Sequence, residues 1–87
     1  MYKTLKATYV TPEETLYDFR FGAEKLIETI KEGLKHTLLH NAGLPILYFI
    51  DYKVRYETEI DSEGYPLKLV KITATLMYQP KYAKDKI

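Results

Sequence analysis

Between residues 46 and 60 the chain alternates, with Ile46, Tyr48, Ile50, Tyr52, Val54, Tyr56, Thr58 and Ile60 at even positions. From Asp51 onward the odd positions hold Asp51, Lys53, Arg55, Glu57 and Glu59. A period of two puts one face of a strand against a core and the other in water. Asp61-Ser62-Glu63-Gly64 follows, with a glycine suited to a left-handed turn position. Val70, Ile72, Ala74, Leu76 and Tyr78 then alternate again, and the two runs together predict a long β-hairpin. Residues 2–10 alternate as well, with Leu5, Ala7 and Tyr9 on one side and Thr4, Lys6 and Thr8 on the other, which predicts a first strand.

Between these strands the period changes. Leu16, Phe19, Ala23, Leu26, Ile27, Ile30, Leu34 and Leu38 recur at spacings of three and four, the stripe of an amphipathic helix over about residues 12–40. Thr11-Pro12-Glu13-Glu14 reads as its capping box, with Pro at the first helical position. Glu13, Glu14 and Asp18 lie near the positive end of the helix dipole and Lys35, His36 and His40 near the negative end. Asn41-Ala42-Gly43 supplies the stop, with Pro45 beyond. A rival reading takes Thr15–Phe21 as a second strand, with Tyr17, Phe19 and Phe21 on one face, and starts a shorter helix after Gly22. In that reading residues 11–14 become a hairpin turn.

The pattern therefore predicts a two-layer α+β fold in the order β-α-β-β, one long helix packed on a small, mainly antiparallel sheet. The alternative is ββαββ, a β-grasp-like sheet over one helix. Residues 1–79 read as a single domain. From Pro80 to Ile87 charge alternates without an apolar face, so 80–87 are expected to be a frayed tail.

Composition narrows the classes of function. With 87 residues, 46% of them hydrophobic and 29% charged, the chain has the balance of one small folded domain. A formal charge of +1 gives neither the basic surplus of a dedicated duplex binder nor an acidic surface. The absence of cysteine excludes disulfides, thiolate metal sites and a cysteine nucleophile. No apolar stretch follows the first basic residues, and the run Leu44–Ile50 is far short of the roughly twenty residues that span a bilayer. The expectation is a cytoplasmic protein with no membrane contact. The oddity is tyrosine, nine residues with no tryptophan, a side chain that covers apolar area while keeping a wet tip.

Candidate chemistry is sparse. His36 and His40 share a helix face with Glu32 at metal-ligand spacing, but dipole-satisfying surface histidines account for them more simply. Ser62 sits in a turn beside Glu63 and Gly64, and the four glycines are isolated, so neither a serine nucleophile nor a phosphate-binding loop is supported. Asp51, Glu57 and Glu59 are interleaved with Lys53 and Arg55, as cross-strand ion pairing would arrange them. Neither a metal nor another cofactor is expected.

Width then enters the argument. A helix about 10 Å across cannot cover three or four strands spaced about 4.8 Å apart, so apolar sheet surface is left for association. The expected function is that of a small non-enzymatic protein–protein interaction module. It would self-associate, with a homo-oligomer favoured, or bind and inhibit a larger protein. The expected interface is Tyr17, Phe21, Tyr48, Tyr52, Tyr56 and Tyr78. A second reading makes the mixed-charge sheet face a nucleic-acid surface through Lys6, Lys53, Arg55 and Lys71, with Tyr2 or Tyr65 as stacking groups. The order of strand, Thr11 cap, helix and long hairpin also resembles the dodecins in topology. That resemblance implies a ligand-binding oligomer; dodecins stack a flavin on a Trp in the strand after the helix, where this chain has Tyr48 and Phe49.

Overall fold

The computed structural model describes residues 2–18, 20 and 22–80. Strand β1 (Lys3–Pro12) leads into helix α1 (Glu13–Asp18) and helix α2 (Ala23–Asn41), and strands β2 (Leu47–Ile60) and β3 (Pro66–Gln79) form the hairpin. This is an α+β fold in two layers with the expected order of strand, helix, strand, strand. The three strands make one antiparallel sheet in the order β1-β3-β2, so β3 is central and both β1 and β2 are edges.

Two expectations at the start of the helical region are corrected. The helix over 12–40 is not continuous: α1 ends at Asp18 and α2 starts at Ala23 behind Gly22, whose φ of 96° and ψ of 158° fall in a region essentially restricted to glycine. Both helices pack on the same sheet, so the apolar stripe runs across the break. Thr11 is not the helix cap. It lies within β1 opposite Val70, is buried, and makes no side-chain hydrogen bond to a described residue. The rival ββαββ topology fails too, because residues 15–18 are helical and only three strands occur among the described residues, but its break at Gly22 and its shorter helix from Ala23 are as observed. Phe19 and Phe21, and residues 81–87 of the expected tail, lie outside the described residues.

The helix stop is as read. The amide of Gly43 donates to the carbonyl of His40 at 3.1 Å and that of Leu44 to Leu39 at 2.7 Å, the paired bonds of a Schellman motif, with Gly43 at φ 83°. At the hairpin turn the Asp61 carboxylate accepts from the amides of Glu63 and Tyr65, each at 2.9 Å, and Gly64 takes φ 88°.

The core lies between the helices and β3. Val70, Ile72, Ala74 and Leu76 are fully buried, each flanked by residues from both edge strands: Leu5, Leu76 and Ile50 stand in one row and Tyr9, Ile72 and Val54 in another. One cluster gathers Leu38, Ala74, Leu76 and Tyr78. The other gathers Leu16, Val70 and Ile72, with Ala23, Leu26, Ile27 and Ile30 against it. Helix α2 packs chiefly across β1 and β3, so the helical layer is displaced from β2.

Candidate interaction surface

That displacement decides which tyrosines remain available. Tyr78 is in the core at 9% exposure. Tyr48 and Tyr52 are half-buried at the margin of the same cluster, and the Lys31 ammonium stands 5.4 Å above the centre of the Tyr52 ring. Burial, then the charge of Glu32, then Tyr48, raise the Tyr52 phenol pKa above its ordinary value. Tyr56 and Tyr17, by contrast, are 59% and 67% exposed. The Tyr17 hydroxyl donates to Glu13 Oε1 at 3.2 Å, and the Glu13 charge followed by that hydrogen bond raises the Tyr17 pKa.

Beyond Leu69 the hairpin outruns its partner strand. Strand β1 pairs only as far as Leu69, opposite Pro12, and there the chain turns off into α1. Residues 58–68 thus project as a two-stranded arm, and the row Tyr56, Thr58 and Ile60 that leads onto it is exposed on the helix side. Two-stranded ribbons are marginal in water on their own. Where β1 departs, a cleft of ≈ 440 Å³ opens between Tyr17 and Glu13 of α1 and Pro66 and Leu67 of β3.

Among the described residues the opposite sheet face carries no helix. At one end the Tyr2 and Phe49 rings lie 6.2 Å apart beside exposed Leu47 and Met77. In the middle Thr8 and Thr73 share a hydroxyl hydrogen bond of 3.2 Å. The residues of the nucleic-acid reading, Lys6, Lys53, Arg55 and Lys71, all lie on this face, but two of them are already engaged. Glu57 accepts from Lys71 Nζ at 3.2 Å and lies 3.6 Å from the Arg55 guanidinium, so it bridges two cations that stand directly opposite each other across the strands. Asp51, Glu57 and Glu59 flank Lys53 and Arg55 along this edge, so no continuous positive stripe forms. Tyr48 and Phe49 face opposite sides of the sheet, so they do not form one stacking platform.

His36 and Glu32 are 3.5 Å apart and both are exposed on α2. Among the described residues no group of three His, Cys, Asp or Glu is placed to hold a metal ion, and no helix is long and apolar enough to cross a membrane. Sequence reasoning missed the sideways offset of α2. Comparison with protein-family models, curated proteins and solved structures finds no significant match to this chain.

Proposed function

We propose that this chain is a non-enzymatic interaction module whose sheet is completed by another polypeptide, through self-association or docking on a larger protein. The observation that carries the reading is the incomplete cover of the sheet. Among the described residues one face has no helix, both outer strands are bare edges, and exposed Tyr56 and Ile60 lie on the hairpin with Tyr17 nearby. Exposed edges and contiguous apolar surface of this kind are where chains associate. Light scattering on a size-exclusion column, over a tenfold concentration range and at two salt concentrations, tests it. A mass above that of the monomer supports self-association, and a monomer with no affinity for nucleic acid supports docking on a larger protein. A monomer throughout, taking up single-stranded RNA or DNA with an affinity that collapses as salt is added, overturns it.

A further inference from the structure

Resting on that reading, we infer that the partner is a second copy of this chain, joined by antiparallel pairing of β2 with β2 about a two-fold axis at Tyr56, giving one continuous six-stranded sheet. Strand β2 is the natural edge. It is fourteen residues long, contains no proline, and lies away from the main path of α2. Long edges without such protection invite pairing. Strand β1 is a poor candidate for the same symmetry: its charged residues are Lys3 and Lys6, so a two-fold pairing has no opposite charges to match, and it ends in Pro12. Pairing β1 of one copy with β2 of the next is head-to-tail and would propagate as an open filament.

Charge fixes the register. The outward row of β2 reads Asp51, Lys53, Arg55, Glu57, Glu59. In a two-fold antiparallel pair, residues whose numbers sum to twice the axis position stand opposite each other and share a face. An axis at residue 54 sets Lys53 against Arg55 and Asp51 against Glu57. An axis at residue 58 sets Glu57 against Glu59. Axes at residues 53, 55 and 57 each place a charged residue against its own copy. Of the axes that set charged residues of the strand against one another, only those at residues 52 and 56 avoid like charges. The first matches Asp51 with Lys53 and leaves Arg55 facing Phe49 and Glu57 facing Leu47.

The axis at Tyr56 matches Arg55 with Glu57 and Lys53 with Glu59, each pair occurring twice by symmetry. The same register brings the exposed apolar row of the hairpin together. Tyr56 meets its own copy, Ile60 meets Tyr52, and Val54 meets Thr58. Tyr56 and Ile60, the two large apolar side chains left most open on the helix side of β2, thereby gain neighbours. Asp51 of the strand meets Asp61, one residue past its end, but the Asp61 carboxylate is turned into its own loop by two amide bonds.

A charge exchange tests this arrangement directly. Lys53 and Glu59 are both exposed, so Lys53→Glu and Glu59→Lys should each fold with an unchanged melting transition at matched oligomeric state. Each alone sets like charges opposite each other twice, and the apparent dimer Kd should weaken by about tenfold or more. Mixed one to one, the two variants should form a heterodimer about as tight as the natural dimer. The carboxylate introduced at position 53 of one chain then faces the ammonium introduced at position 59 of the other, and the unaltered Glu59 and Lys53 face each other at the symmetry-related place. Independently, Tyr56→Cys, in a chain with no cysteine, should oxidise to a covalent dimer, since opposite Cα atoms in an antiparallel pair lie within disulfide reach. If the natural chain is an oligomer but neither single variant weakens it, or the mixture is no tighter than its components, the β2 register is wrong while the interaction reading stands. A monomeric natural chain overturns the inference outright.

Discussion

Replacing Leu16 with alanine is the sharpest probe of how the interrupted helix is held. Helix α1 has only six residues, too few to be stable through its own hydrogen bonds, and Leu16, at 1% exposure, is fully buried. It packs on Val70 and Ile72 of the central strand. Truncation removes three carbons, about 2.4 kcal/mol of transfer free energy at ~0.8 kcal/mol per group. A residual cavity of several tens of Å³ adds about 1 kcal/mol more, so the expected loss is ~2.5–4 kcal/mol. In a domain of this size that lowers the melting temperature by roughly 10–25 °C. Thr15→Ala, on the exposed side of the same helix, should change stability by less than about 0.5 kcal/mol. Urea denaturation followed by circular dichroism, at one fixed protein concentration, reads both. A loss below about 1 kcal/mol for Leu16→Ala would mean that α1 does not dock on the sheet, and the account of the break at Gly22 would fail.

Other substitutions separate the structure from its rivals. Gly22→Ala meets no steric obstacle but forces a side chain into a glycine-only backbone region, so it should cost ~1–3 kcal/mol in the same denaturation assay. Thr11→Val should be neutral or stabilising by up to about 1 kcal/mol, because it replaces a buried hydroxyl that has no described partner. A loss of ~1 kcal/mol there would instead indicate a helix cap. Because the fold raises the pKa of Tyr52, its neutral form is favoured in the folded state. The contribution to stability is complete below about pH 10 and declines as pH rises through the raised folded value. Tyr52→Phe should flatten that alkaline decline in denaturation curves measured from pH 8 to 11.

Much of the fold was legible because period-two alternation is a direct image of a half-buried strand. Tyr48, Ile50, Tyr52 and Val54 turn to the helix side and Asp51, Lys53 and Arg55 away from it, as their parity required. The stop at Gly43 and the turn at Gly64 were legible for a similar reason, since positive φ is local chemistry. The break at Gly22 and the helix start at Ala23 were legible only in the rival reading, because Leu16, Ala23, Leu26, Ile27 and Ile30 contact the same cluster and so keep the spacing that a single helix would show. Thr11 misled because a strand-end threonine and a helix cap present the same four residues, and only its pairing with Val70 separates them. Among the expected interface tyrosines, parity alone could not rank burial. Strand order put Tyr78 on the central strand and therefore in the core, while Tyr56 on the edge stayed open.

Amide hydrogen exchange across Tyr52–Ile60 tests the central claim, that the bare β2 edge is closed by association, more directly than any other measurement. In a concentrated sample the account predicts slow exchange at the outward-facing amides of this segment, and faster exchange at those amides on dilution or in Lys53→Glu. Exchange as fast as that of an unpaired edge at every concentration, with the amides between β2 and β3 still protected, would contradict it.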